Sequence, residues 1–245
     1  MLWSTELGVF ACVVLGVVAY GINALDPLAA VASVVIGVIL ILTGGIIPFI
    51  VLCVFFASGV VATRYRAMEK EEYRVRMPRR GVNNVIANGL APVVFMVLRS
   101  VSGNNMFFYG FLGAVATVTA DTLSSEIGVL SKRKPVLITN FKRVETGTNG
   151  GVTPLGEAMS FAGSALVAGS HLVMVSIGTW TGVVIPHSPP AIYPITLISG
   201  VVGCHVDSLL GATLENRGKI NNDAVNLFSA VAGGLTAMGM SLIIH

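Results

Sequence analysis

MFFYGFLGAVATVTADTLSSEIGVL, residues 106–130, decides what kind of molecule this is. From Met106 to Ala120 it carries no charge, and then Asp121 and Glu126 follow inside the same apolar run. The whole stretch exceeds the roughly 20 residues that a helix needs to cross a bilayer. A carboxylate inside such a span costs a few kcal/mol and usually marks function. One segment therefore states both themes of the chain: a membrane span, and acids placed toward one end of it.

Working outward, similar runs occupy 7–24, 28–42, 45–62, 82–98, 155–177, 192–210 and 224–244. Overall 54% of the 245 residues are hydrophobic and 11% charged, about half the charge of a soluble domain. The 28 glycines fit this reading, because small residues let membrane helices approach closely. The first run lacks a basic start and an A-x-A-like cleavage site, so it reads as a span rather than a removed signal, and no transit peptide is evident. The expectation is an all-α polytopic membrane protein with about eight transmembrane helices, seven to nine. It forms a single transmembrane domain over 1–245. Residues 1–63 supply N-terminal helices, 64–81 a basic loop, and 82–245 the catalytic helices with polar loops at 131–153 and 211–223. Cys12, Cys53 and Cys204 all fall in apolar spans, offer no ligand spacing and read as packing residues.

The 15 basic residues are unevenly placed. Seven lie within 64–80, five within 132–143, two are Arg217 and Lys219, and Arg99 stands apart. The positive-inside rule puts such loops in the cytoplasm. Two spans separate each loop from the next, so all three fall on one side and both termini on the other. A multi-pass protein of the cell membrane with its polar face toward the cytoplasm is expected. The net charge of +3 reflects loop placement and points to no nucleic-acid partner. The loops also suit contact with anionic membrane lipids, and a homo-oligomer is left open.

Acids near the cytoplasmic ends of spans are Asp121, Glu126, Glu157, Asp207 and Glu215, with Asp121 and Asp207 deepest. Amides gather beside them: Asn83, Asn84 and Asn88 at the start of span four, and Asn221, Asn222 and Asn226 at span eight. Asp121 and Ser125 share a helix face. Glu126, five residues on, points about 140° away on an ideal helix. Asp207, Gly211 and Glu215 follow one face with a drift of about 40° per step. Each acid could instead partner a loop cation, most simply Glu145 and Glu157, and Asn222 or Asp223 could cap the last helix. Asp121-Thr122-Leu123 and Asp207-Ser208-Leu209 form a weak internal echo, either a duplicated two-helix unit with both aspartates facing a common cavity or a chance match.

A second feature is TGTNGGVT, residues 146–153. Glycines let backbone N–H groups turn toward an anion, and a helix N-terminus adds a favourable dipole. Lys132, Arg133, Lys134, Lys142 and Arg143 precede it, so the segment either cradles a polyphosphate or is an ordinary turn. No G-x-x-x-x-G-K-[ST] is present, and His171, His187, His205 and His245 show no metal-ligand spacing.

Residues 120–128 (ADTLSSEIG), 146–153, and 207–213 (DSLLGAT), with a looser match from Arg80 to Gly89, resemble signatures of one family. It comprises the integral membrane phytyl-phosphate kinases of the plant vitamin E pathway and their archaeal and bacterial relatives, and the resemblance covers roughly residues 75–230. Leu123, Asn84 and Glu215 depart from the expected aromatic, glutamine and glutamine, which bears on the choice of lipid.

The resemblance implies phosphoryl transfer from a nucleoside triphosphate, by analogy CTP, to an isoprenoid monophosphate, giving the diphosphate. Asp121, Glu126 and Asp207 are the expected catalytic and Mg²⁺-binding residues. Lys132, Arg133, Lys134, Lys142, Thr146, Thr148, Asn149, Gly150, Gly151 and Asn88 are the expected nucleotide-binding residues. Phosphoryl transfer needs positioning and charge neutralisation more than covalent chemistry, and a lipid acceptor accounts for a site at the membrane surface. The rival readings are a cytidylyltransferase forming a CDP-lipid, an ion-coupled transporter and a non-catalytic lipid-binding scaffold.

Overall fold

A computed structural model of the chain describes residues 2–72, 79–181 and 189–244. Part of the first basic loop, 73–78, and His187 and His245 lie outside the described residues. The helices are α1 (Leu2–Gly21), α2 (Pro27–Gly44), α3 (Ile46–Arg64), the short α4 (Ala67–Glu72), α5 (Val82–Ser102), α6 (Met106–Gly128), α7 (Pro154–Thr181), α8 (Ile192–Leu210) and α9 (Asn222–Ile244). A π-helical turn, Gly211–Glu215, continues α8. Two residue pairs, β1 (Val136–Leu137) and β2 (Gly151–Val152), form an antiparallel ladder in the loop after α6. Among the described residues, α2, α3, α5, α6, α7, α8 with its π turn, and α9 are long and apolar enough to cross a membrane. The apolar stretch Thr5–Gly21 of α1 is shorter. The all-α membrane architecture is as the sequence indicates.

Local chemistry sets the helix ends. Asp26 caps α2, its carboxylate accepting from the Ala29 N–H at 2.7 Å, with Pro27 in the first turn. Gly45 at φ 77° breaks the chain between α2 and α3. Thr153 caps α7: its Oγ1 accepts from Gly156 N–H at 3.0 Å and donates to Gly128 O at 3.3 Å. Asn221 caps α9, accepting from Ala224 N–H at 2.9 Å, so the cap falls on neither Asn222 nor Asp223.

α6 is the most buried span, and α3, α5, α7, α8 and α9 all pack against it. The crossing of α6, α8 and α9 converges on Thr117, whose Oγ1 donates to Gly113 O at 2.9 Å. Gly203 of α8 and Gly233 of α9 press directly against this threonine, where a Cβ on either would overlap it. This close approach fixes what happens one turn later. Asp121 lies four residues after Thr117 and Asp207 four after Gly203, on the same helix faces, so the two aspartates are brought together at the loop end of the bundle.

Candidate functional site

Three connections meet at that end: the one leading into α5, the loop between α6 and α7, and the one between α8 and α9. They surround a cavity of about 450 Å³. Asp121, Asp207 and Glu215 line it, with Asn84, Asn88, Asn222 and Asn226, the glycine segment from Thr146 to Gly151, and Arg79 and Arg80. The carboxyl groups of Asp121 and Asp207 are within side-chain hydrogen-bonding reach of each other, and Glu215 is near enough to add its field. Asp207 also accepts from Ser229 Oγ at 3.0 Å. Among the described residues, no Lys or Arg pairs with any of these three acids. Facing carboxylates at membrane depth without a counter-ion are costly, so the arrangement asks for a cation.

The donor set fits a hard, oxygen-seeking ion. No three His, Cys, Asp or Glu side chains among the described residues converge on one ion position. Mg²⁺ commonly takes only one or two protein carboxylates and completes its octahedral shell with water and phosphate oxygens. Asp121 and Asp207 supply that minimum.

Glu126 is differently placed. Its Oε2 accepts from Lys70 Nζ at 2.8 Å and its Oε1 from Thr63 Oγ1 at 2.8 Å. Lys70 also donates to Ala62 O at 2.6 Å, and the pair is shut away from solvent. Glu126 reaches the cavity wall, but its carboxylate is bound to Lys70 of α4, which ties α3 and α4 to α6. Of the two acids with the simpler expectation of a loop cation as partner, Glu145 meets it and Glu157 does not. Glu145 pairs with Lys134 at 2.8 Å on the exposed surface. Glu157 finds a histidine instead of a loop cation, His205 Nε2 at 3.1 Å.

The glycine segment contributes to the wall, and its conformation has a packing cause. Gly150 sits at φ 75°, and a Cβ there would come within 2.5 Å of Ser208 O and the Ala212 methyl. The segment is seated on the end of α8 and its π turn, and Asn216 Nδ2 donates to Asn149 O at 3.1 Å across the same contact. Thr148 turns the backbone by donating from Oγ1 to Glu145 O at 2.7 Å. Thr146, Thr148, Asn149, Gly150, Gly151 and Asn88 all line the cavity; Lys132, Arg133, Lys134 and Lys142 do not. These four cations are exposed on the loop that carries the β1–β2 ladder.

Among the described residues, the cations that do reach the cavity are Arg79 and Arg80. Arg79 donates to Asn23 Oδ1. Arg80 is held by its backbone: its N–H donates to Ala24 O at 3.1 Å, and its carbonyl accepts from Asp26 N–H at 3.2 Å. In the sequence Arg80 is both the last of the charges in the first basic loop and the first residue of the looser family match, Arg80 to Gly89. Its signal was position, as the last cation of the loop just before Asn83, Asn84 and Asn88.

Comparison with known proteins gives this geometry a lineage. Residues 10–234 match the family described as Integral membrane protein DUF92. The chain is 33% identical over 217 residues to an uncharacterized membrane protein of Methanocaldococcus jannaschii, covering 86% of this chain and 83% of that one. It is 30% identical over 207 residues to the chloroplastic protein VTE6 of Arabidopsis thaliana, covering 80% of this chain and 59% of the plant protein. To the protein PGR of the same plant it is 29% identical over 211 residues, 72% of each chain. No solved structure matches it. With a family match spanning nearly its whole length, and with the motifs at 120–128, 146–153 and 207–213 gathered on one cavity, the chain belongs to the DUF92 integral membrane family.

Proposed function

We propose that this protein is a membrane lipid-phosphate kinase that moves the γ-phosphoryl group of a nucleoside triphosphate, CTP by analogy, onto an isoprenoid monophosphate. The reading places the reaction at the cytoplasmic face of the cell membrane. One observation carries it: two facing carboxyl groups, Asp121 and Asp207, with no cationic partner among the described residues, on the wall of a polar cavity that also holds a glycine-rich turn. The motif resemblance to the phytyl-phosphate kinases and the relatedness to VTE6 support the same reading.

In this account Asp121 and Asp207 would hold Mg²⁺, which would supply charge neutralisation for the phosphates. The backbone N–H groups of the 146–151 turn other than those of Thr148 and Gly151, which donate to Glu145 O and Thr148 O, orient the triphosphate together with the amides of Asn88 and Asn226. An oxygen of the acceptor phosphate attacks the γ-phosphorus, the bond from that phosphorus to the β,γ-bridging oxygen breaks, and the nucleoside diphosphate leaves. No protein base is needed, because a phosphate monoester with a second pKa of about 6 is largely ionised at pH 7. Glu126 has a positioning role through Lys70, and Lys132, Arg133, Lys134 and Lys142 act at most at long range.

The test is turnover by purified protein given geranylgeranyl monophosphate, Mg²⁺ and each of CTP, ATP, GTP and UTP. Nucleoside diphosphate and prenyl diphosphate are expected in equal amounts. Pyrophosphate with a CDP-lipid would establish a cytidylyltransferase instead.

A further inference from the structure

A second cavity, of about 420 Å³, opens between α1, α2, α3 and α5. That volume lies within the range typical of ligand pockets, roughly 300–1,000 Å³. Its lining is apolar, with residues such as Gly16, Ile36, Phe49, Phe56 and Ala57, until it reaches Arg80, Asn84 and Asn88. Those three residues also line the polar cavity, so an apolar groove and a charged chamber share one wall.

Arg80 is built into that wall. Its guanidinium lies over the Phe55 ring, 5.8 Å from the centroid. It rests against Gly59, where a Cβ would come within 2.6 Å of Nη2. Burial draws its pKa down from the usual value, with the Glu126 charge opposing. An arginine nevertheless stays protonated. Among the described residues no carboxylate pairs with it. Glu126 lends only its field, since its two oxygens are engaged by Lys70 and Thr63. A half-buried guanidinium without a carboxylate partner is costly, and its planar fork suits phosphate.

We infer that the groove between α1, α2, α3 and α5 holds the hydrocarbon tail of a single-chain isoprenoid monophosphate, and that Arg80, with Asn84, holds its phosphate at the junction with the polar cavity. This rests on the kinase reading and adds to it the acceptor's seat and its route: the lipid enters sideways from the bilayer, while the nucleotide enters from the aqueous end. The occupant follows from complementarity. Among the described residues one cation, Arg80, stands at the end of one apolar groove, which matches one phosphate on one chain.

The test is equilibrium binding of radiolabelled geranylgeranyl monophosphate to detergent-solubilised protein without nucleotide. Competitors are geranylgeraniol, inorganic phosphate and dioleoyl phosphatidic acid. The labelled monophosphate should bind more tightly than the alcohol competes, and inorganic phosphate should compete poorly. Arg80→Gln should weaken the monophosphate by about tenfold or more, as for loss of a charge-assisted contact, and leave the alcohol unchanged. Ala57→Trp, at an exposed position on the groove wall, should weaken both prenyl ligands while the stabilisation by Mg²⁺–CTP persists. Should Arg80→Gln fail to fold, Ala57→Trp still decides. Unchanged monophosphate binding in a folded Ala57→Trp protein overturns the inference. So does phosphatidic acid that competes as well as the prenyl phosphate, because the groove would then be a general lipid crevice. Intact lipid binding without turnover would defeat the kinase reading and leave this seat standing. Turnover that is indifferent to Ala57→Trp would do the reverse.

Discussion

Lys70 Nζ and Glu126 Oε2 lie 2.8 Å apart with both side chains 3% exposed. This pair divides the acids of the loop end into two kinds. Glu126 is satisfied by a protein cation, while Asp121 and Asp207 face each other. Removing one member of a buried ion pair leaves an uncompensated charge. Glu126→Ala should therefore lower stability by about 3–5 kcal/mol, read as a reduced Tm in detergent. Replacing both partners, Glu126→Leu with Lys70→Met, should recover much of the loss. An unchanged Tm with lost Mg²⁺ affinity would instead move Glu126 into the metal site.

Asp121→Asn and Asp207→Asn should act in the opposite sense. Each removes one of two facing like charges, so stability should hold or rise. Stabilisation by Mg²⁺–CTP, which reports binding to the native state, should disappear along with turnover. Retained activity in either variant takes that residue out of the site.

The glycine turn and the outer loop cations should separate cleanly. Gly150→Val sets a branched side chain at φ 75° against Ser208 O and should destabilise the fold by about 1–3 kcal/mol or more. Lys142→Ala should change nucleotide affinity little, because Lys142 is exposed and does not line the cavity. A large loss of CTP affinity in Lys142→Ala would mean that the loop closes over the nucleotide.

Sidedness can be read by single cysteines in a background lacking Cys12, Cys53 and Cys204. Cysteines at Lys132 and Arg217 should resist a membrane-impermeant thiol reagent applied to intact cells, and one at Asn104, at the opposite end of the bundle, should react. Labelling at Lys132 or Arg217 would invert the topology.

The spans were legible because apolar runs of bilayer length have few alternatives, and Asp121 and Asp207 because carboxylates are rare at that depth. Their meeting was legible only as a weak sequence echo. What brings them together is the Thr117–Gly203 contact, which a single helix period does not reveal. Glu126 pointed away from Asp121 by helix geometry alone. Its partner Lys70 is 56 residues distant and arrives only because α4 folds back under α3. The five cations at 132–143 suggest a phosphate cradle by sequence adjacency, but Lys132, Arg133, Lys134 and Lys142 are exposed and do not line the cavity, and Lys134 pairs with Glu145. Arg80, seventy residues from the glycine turn, reaches the cavity through backbone hydrogen bonds to the α1–α2 connection that no local pattern encodes.

The most direct measurement follows both products of one reaction: protein, Mg²⁺, geranylgeranyl monophosphate and γ-labelled CTP. The account predicts label in prenyl diphosphate, an equal amount of CDP, and none of either with Asp121→Asn or Asp207→Asn. Label released as pyrophosphate, or no transfer by protein that demonstrably binds both ligands, would contradict it.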